Sequence, residues 1–506
     1  MVVNMKKRTK RAPKVLGPII VMGIIVIGLM ILSLILSLIG VESEEAVINF
    51  GHLEMSLVSI KNAFSIEGIK YILSNSVTNF RLLEPLALII ISLIATSIAE
   101  RSGLIKHLTE PFKQLKISVV TFVTLFICAI MTFFGDYAFV IVLPLVGVIY
   151  RYLGRNPMLG IITAFIGITC GYGTGIIYNY NTYILGTLTQ ISATIEVDPT
   201  FSYDVLSCMY IMIVSTLVVI FLGTTIINKY LVPKFKKIQV EDDELKTSNK
   251  ALWITNIASL VIIGLTIVMI LPGGALLDNT KATYIEKLMS DTAPFKEAFM
   301  FIILISMMVC GGIYGYVSKN IENRLDYNTG LYKSFENCGY IFVLMFFASI
   351  MYGVLEYTNI GTVFAAILIN IVSSLQFSGG LLIIVFFIIT ILISIIMPNT
   401  YTKWNMASPL IVPLFMRANI SPEFTQFVFS IADGIGKSIS PFFIYFIIML
   451  GFLQKYNDGD KKEITIVGTI KLILPTVLLL AVVWLVLIVS WNIIGIPLGI
   501  NTYATM

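Results

Sequence analysis

Long apolar runs separated by short polar ones set the layout of this chain. Val15 to Ile39 carries no charge, and at about 20 residues per hydrocarbon core it is long enough to cross a bilayer once as a helix. Further charge-free runs of spanning length extend over Leu206 to Ile227, Ala251 to Pro272, Ala298 to Ser318 and Leu472 to Ile496. The first run is not a cleaved signal, because its apolar core is too long and no small-x-small site follows. The basic tail at 1–14, with Lys6, Lys7, Arg8, Lys10, Arg11 and Lys14, predicts a cytoplasmic N-terminus. Lys229, Lys234, Lys236 and Lys237 place the linker 228–250 in the cytoplasm, with Glu241 to Glu244 as a solvated acidic stretch inside it. Alternation then puts Gly273 to Ala293 and the C-terminus outside.

Two regions, Leu86 to Thr189 and Tyr357 to Tyr445, do not parse as simple spans. In the second, Tyr357 to Thr402 has no charged residue, yet Ser373 to Gly380 and Met397 to Thr402 interrupt it. Non-helical backbone at membrane depth survives only where protein or a water-filled cavity satisfies it, so these clusters predict re-entrant tips and helix breaks. The regions also share a layout. The first has a tip at Thr132 to Tyr137, basic Arg151 and Arg155, and a break at Gly171-Tyr172-Gly173-Thr174-Gly175. The second has a tip at Asn399 to Lys403, then Arg417, and a break from Asp433 to Pro441. Paired interruptions in two halves point to a transporter site near the midplane, where half-helix ends present N–H groups to anions and carbonyls to cations. The predicted fold class is therefore an all-α polytopic membrane protein of two structural repeats. One half spans 15–227, with a hairpin near 117–150 and a broken helix near 160–190. The other spans 251–506, with a hairpin near 379–416 and a broken helix near 422–453.

Composition narrows the chemistry. Apolar residues make up 57% and charged ones 12%, about half the charge of a soluble protein, which excludes a soluble globule. The net charge of +5 is spread along 506 residues, so nucleic acid is not an expected partner. Five isolated Cys and only two His, His52 and His107, offer no paired metal-ligand spacing and no nucleophile with a partner. No cofactor and no enzyme chemistry is expected. The glycine clusters lack the strand and the Lys-Ser/Thr ending of a phosphate loop, which leaves ATP-driven pumping without support.

The chain resembles the AbgT family, the p-aminobenzoyl-glutamate transporters, over nearly its whole length. The resemblance rests on Ala99-Glu100-Arg101-Ser102-Gly103, Asp136 followed by Pro144-Leu145, and Gly154-Arg155-Asn156-Pro157. It is most specific from Lys403-Trp404 through Pro409, Pro413 to Met416 and Ser421-Pro422 to Asp433 and Ser440-Pro441. It implies a homodimer with about nine transmembrane helices and two re-entrant hairpins per protomer, carrying aminobenzoyl-glutamate, with some members exporting sulfonamides. Trp404, Pro422, Asp433 and Pro441 match the family's functional residues. Gly175 and Thr182 stand where the family has Asn and Asp, Ser430 where it has Arg, Tyr401 where it has a hairpin Ser, and Lys437 where it has an amide. Losing an Arg removes a bidentate partner for a glutamate carboxylate.

The candidate substrate residues are Asn399, Thr400, Tyr401, Thr402 and Trp404 at the second tip; Gly173, Thr174, Gly175, Asn179, Asn181 and Thr182 at the first break; and Pro422, Ser430 and Pro441 around the second. Ion coupling is assigned to Asp433, Lys437, Asp136, Ser438 and Ser440, with a proton or a sodium ion near Asp433 as the coupling ion. An intramembrane carboxylate is functional by default, although Asp433 and Lys437 could equally form a structural ion pair. Lys403 reads as a snorkelling residue, Trp404 as an interfacial aromatic outside its motif, and Glu100 with Arg101 as an exposed pair at a helix end. The expected function is secondary active transport of a small carboxylate-bearing solute across a bacterial cytoplasmic membrane, with lipid around it. The alternative is a passive channel, or an efflux carrier for drug-like aromatic solutes such as sulfonamides. Lys437 four residues after Asp433 suggests an ammonium in place of a bound sodium ion.

Overall fold

The computed structural model describes residues 16–49, 52–176, 178–236, 244–290, 292–336, 338–374, 379–457 and 464–506. The basic tail at 1–14, residues 241–243 of the acidic stretch and residues 375–378 of the Ser373 to Gly380 interruption lie outside them. The chain runs through α1 (Pro18–Ile39), a ribbon of β1 (Glu42–Asn49) and β2 (His52–Ser59), α2 (Ile66–Arg81), α3 (Glu84–Arg101), α4 (Leu104–Thr109), α5 (Ile117–Met131), α6 (Tyr137–Tyr152), α7 (Pro157–Thr169), α8 (Tyr180–Glu196) and α9 (Met209–Tyr230). It continues through α10 (Asn249–Ile270), α11 (Tyr284–Met289), α12 (Pro294–Ser318), α13 (Arg324–Tyr332), α14 (Gly339–Thr358), α15 (Ile360–Ser374), α16 (Gly379–Ile396), α17 (Thr400–Arg417), α18 (Pro422–Ser438), α19 (Ile444–Lys455), α20 (Ile466–Ile494) and a short ribbon of β3 (Pro497–Gly499) and β4 (Thr502–Tyr503). Among the described residues the fold is mostly helical with no closed sheet. The two antiparallel ribbons depart from an all-α reading. Along β1, Asn370 of α15 donates its side-chain amide to the Glu44 carbonyl at 2.8 Å.

Among the described residues, nine helical stretches are long and apolar enough to cross a membrane. They include α5 with its 3-10 extension and α16, which the sequence assigns to hairpin arms, so the number nine is reached with a different set of helices. The five charge-free runs all become helices, with ends displaced by capping. Thr465 caps α20 by accepting from the Gly468 N–H, so that helix starts well before Leu472 and takes in Lys471. Helix α10 buries only Ala251 and Thr255, as expected of a helix with most of its surface toward lipid.

Each half contains the same order of parts. Helices α5 and α6 meet at a tip around Thr132 to Asp136, then α7, a break and α8 follow. Helices α16 and α17 meet at Met397 to Asn399, then α18, a break and α19 follow. Helix α7 packs against both α5 and α6, and α18 against both α16 and α17. Pro157 and Pro422 open α7 and α18 at N1, where the missing N–H goes unused, behind the side-chain caps Asn156 and Ser421. Every residue of α18 is buried.

The second break differs from the expected span. Helix α18 continues through Ser438, so Asp433, Gly434, Gly436 and Lys437 are helical and the interruption covers only 439–443. Pro441 accounts for this, since it donates no N–H and pushes Ser440 out of the helical region. Gly434 and Gly436 serve close packing instead. A Cβ at 434 would lie 2.1 Å from the Thr169 carbonyl oxygen of α7, and one at 436 would lie 2.5 Å from that of Ile391 on α16. Gly434→Ala should therefore lower the stability by about 1–3 kcal/mol, the range for overpacking, despite the better helix propensity of Ala. Thermal denaturation of the purified protein checks this, and a wild-type midpoint would contradict it.

Outside the spans, Asp278 in the loop before α11 accepts from Thr280 and Thr292, and these hydroxyls hold its carboxyl down to about 2.

Candidate functional site

The tips and breaks of both halves meet at one buried polar network. Asp433 and Lys437 lie one turn apart on α18, with Lys437 Nζ 3.3 Å from Asp433 Oδ2. Lys403, on the first turn of α17, forms a second ion pair with Asp433 Oδ1, and Ser394 of α16 donates to the same oxygen at 2.8 Å. Lys403 also donates to Ser394 Oγ at 2.7 Å. Thr400 at the second tip donates to Asp433 Oδ2 at 2.5 Å and accepts from Lys437. Lys403, Asp433 and Lys437 are 1%, 0% and 2% exposed, a burial that charges tolerate only when paired and hydrogen-bonded. These contacts give Asp433 three hydrogen-bond donors and two ion-pair partners.

The network reaches the first half through Tyr172 in the first break. Its hydroxyl donates to Asp136 Oδ1 at 2.8 Å and accepts from Lys437 at 3.4 Å. Lys437 also sits over the Tyr172 and Phe443 rings, 4.9 and 5.1 Å from their centroids, which adds cation–π attraction to the ion pair. A hydrogen-bonded line thus runs from Asp136 through Tyr172, Lys437 and Thr400 to Asp433. Tyr172→Phe cuts this line without changing shape. It should reduce solute uptake several-fold while shifting stability by about 1 kcal/mol, and unchanged uptake would remove Tyr172 from the working site.

A cavity of about 770 Å³ opens on this line, within the range of small-molecule sites. Asp136, Asn181, Asn399, Thr400, Tyr401, Thr402 and Lys437 line it, with Glu84, Lys296, Glu356 and the aromatics Phe134, Tyr137, Tyr180, Phe295, Phe299, Tyr352, Phe443 and Tyr445. Asn399 also caps α17 by accepting from the Thr402 N–H at 2.9 Å.

Several predicted residues lie elsewhere. Trp404 is fully buried, tilted against Phe429 at 4.5 Å, and donates to Thr189 at 2.8 Å. Thr189 bonds Gln426, whose amide donates to the Thr182 carbonyl and to Tyr203, each at 2.9 Å. This second network ties α8 to α17 and α18. Asn179 donates to the carbonyls of Tyr172 and Thr174 at 2.9 and 2.8 Å and so holds the first break in shape. The Thr216 hydroxyl accepts from the Gly175 N–H and donates to the Gly175 carbonyl. Gly173 is packed so that a Cβ would lie 2.5 Å from Ile431. Ser430, Ser438 and Ser440 donate to the carbonyls of Gln426, Ile435 and Ile395. Pro422 starts α18, and Pro441 sits in its break.

Lys403 corrects the snorkelling reading, because its ammonium turns inward to Asp433 instead of outward to an interface. Trp404 is likewise a core residue and not an interfacial aromatic. Glu100 pairs with Arg151 at 2.6 Å, so the pair expected with Arg101 is replaced by one across two helices. Ser394, Glu84 and Tyr445 carry no mark in the sequence, and Tyr172 is marked there only as part of the first break. Lys403 carried a signal all the same, as the first charge after a charge-free run from Tyr357.

A transport protein of Escherichia coli K12 described as the p-aminobenzoyl-glutamate transport protein is 26% identical over 455 residues, covering 88% of this chain and 87% of that one. The solved YdaH transporter of Alcanivorax borkumensis superposes with a TM-score of 0.50 at 23% identity, covering 96% of this chain and 100% of its own. MtrF of Neisseria gonorrhoeae, described as illuminating a class of antimetabolite efflux pumps, gives 0.49 at 23% identity, with 97% and 98% covered. The YdaH likeness supports the helical fold just described. The model of the "AbgT putative transporter family" matches residues 9–506, essentially all of the described helices with both tips and both breaks, and the chain belongs to that family of membrane transporters.

Proposed function

We propose that the chain is a secondary active transporter that moves a small aromatic solute bearing a carboxylate, p-aminobenzoyl-glutamate or an amino-acid or peptide-like relative, through the cavity between the two tips. One observation carries this reading. Two buried ammoniums, Lys403 and Lys437, share the carboxylate of Asp433, and Lys437 borders the cavity. The trio has a surplus positive charge in a low-dielectric site, where a solute carboxylate on Lys437 would offset it. The aromatic walls supply apolar surface for the rest of the solute. The hydrogen-bonded line between the tips supports a carrier over a channel, because it bars the cavity floor and must be broken or moved for passage.

Lys437 also bears on coupling. Its ammonium occupies the position beside Asp433 where a bound cation would neutralise the carboxylate, so a proton gradient, not a sodium gradient, drives transport. Two re-entrant hairpins, a homodimer and a cytoplasmic N-terminus in a bacterial inner membrane complete the reading, supported by family membership, by the paired tips and by the basic tail. The test is uptake of labelled p-aminobenzoyl-glutamate and of a labelled aromatic dipeptide into proteoliposomes under imposed proton or sodium gradients. Uptake should follow the proton gradient and fall at least tenfold in Lys437→Met. A sodium requirement that persists in Lys437→Met would overturn the coupling assignment.

A further inference from the structure

The cavity has a second charged corner, opposite in sign to Lys437. Asp136 and Lys437 lie on either side of one phenol oxygen, that of Tyr172, at 2.8 and 3.4 Å. Glu84, at the first position of α3, lines the same cavity within electrostatic reach of Asp136. Tyr445 lines the same cavity as both carboxylates. Its side chain is 2% exposed and borders the cavity, yet its hydroxyl has no hydrogen-bond partner among the described residues. A buried hydroxyl left unsatisfied is unfavourable by a margin comparable to a lost hydrogen bond, so such a group next to an open cavity points to a partner supplied from outside.

We infer that Glu84, Asp136 and Tyr445 form a receptor for a solute ammonium, so that the transported solute carries a free α-amine beside its carboxylate, as an aromatic amino acid or a short peptide does. This rests on the reading of the cavity as a carboxylate site at Lys437, and it narrows the solute to the amino-acid or peptide-like relatives of p-aminobenzoyl-glutamate, which itself carries no alkylammonium. An alkylammonium has three N–H donors, and the corner offers two carboxylates and one phenol oxygen to take them. Lys437 is at hand for the carboxylate, with only the Tyr172 hydroxyl between the two corners. Charge agrees with this pairing. Three carboxylates, Glu84, Asp136 and Glu356, line the cavity against two ammoniums, Lys296 and Lys437, and Lys437 is already shared with Asp433. A solute with two negative charges and no ammonium would set at least one of them against this surplus, whereas a zwitterionic head matches both corners.

The test compares matched solutes on the purified full-length protein by isothermal titration. One pair is L-phenylalanine and 3-phenylpropionate. The other is L-phenylalanyl-glycine and its deamino analogue, 3-phenylpropanoyl-glycine. In at least one pair the amine-bearing member should bind at least about tenfold more tightly, as expected for charge-assisted hydrogen bonds. Glu84→Gln and Asp136→Asn should each bring that ratio toward one, two nearly isosteric changes on separate helices, so one poorly folded variant leaves the other to decide. Tyr445→Phe should lower the ratio by a smaller factor. If the deamino member binds as tightly in both pairs, the ammonium receptor is refuted while the carboxylate reading stands. If p-aminobenzoyl-glutamate, titrated alongside, binds and no member of either pair does, the ammonium receptor alone is refuted, and if none of the five binds, both readings are refuted.

Discussion

Asp433→Asn is expected to abolish uptake and to lower the stability of the protein by about 3–5 kcal/mol, the range for leaving a buried charge without its partner. Ser394, Thr400 and Lys403 donate hydrogen bonds to this carboxylate, and Lys437 forms a second ion pair with it. An amide keeps one acceptor oxygen and turns its N–H donors toward an ammonium, which can only donate. The loss should therefore exceed that of an ordinary polar substitution. Adding Lys437→Met removes one of the two stranded ammoniums, so the double variant should regain part of the stability and none of the uptake. Thermal denaturation and proteoliposome uptake separate the two effects. Wild-type stability and uptake in Asp433→Asn would take the trio out of both the fold and the function.

Trp404→Ala should be nearly as damaging for another reason. The indole is fully buried against Phe429 and ties α17 to Thr189 on α8. Truncating a buried aromatic to Ala lowers stability by about 3–5 kcal/mol, through lost transfer energy and the cavity left behind. Trp404→Phe retains most of the ring and should lose far less, although Thr189 forfeits a donor. Because Trp404 lies behind the cavity wall, uptake by the two variants should follow their stability. A stable Trp404→Phe protein with no uptake would instead make the indole a direct solute contact.

The repeat plan was legible because its signals are local: polar residues and prolines cannot interrupt apolar runs without marking a tip or a break. Asp433 was legible for the same reason, since a carboxylate in a spanning segment has few explanations. The direction of a side chain is another matter. Lys403 follows the apolar run of α16 by a few residues, where an ammonium can reach an interface or turn inward, and only the placement of Asp433 across from it decides. The extent of α18 was misjudged because Gly434 and Gly436 serve as breakers in one context and as contact points in another. Here the carbonyls of Thr169 and Ile391 require the second role. Glu84 depends on long-range approach and leaves no local trace, and Tyr172 lies in a visible break while its partner Lys437 does not show from the sequence. The β1–β2 ribbon was missed because its charges and hydroxyls hide the alternation that marks a strand.

The hydrogen bond between Tyr172 and Lys437 spans 265 positions of sequence, and this separation has a consequence for biogenesis. At roughly 5–20 residues per second, a ribosome needs about 10–50 s to make the second residue after the first. During that interval the nascent first half sits in the bilayer with the Tyr172 break and Asp136 exposed to whatever surrounds them. The Thr189 hydroxyl waits for Trp404 over a shorter interval of 215 positions. A polypeptide released at the 228–250 linker never receives its partners and presents the quality-control proteases with polar backbone at membrane depth. Supplying 251–506 as a separate polypeptide in the same cell should rescue it, because the bonds that complete the site cross between the halves and need no covalent link.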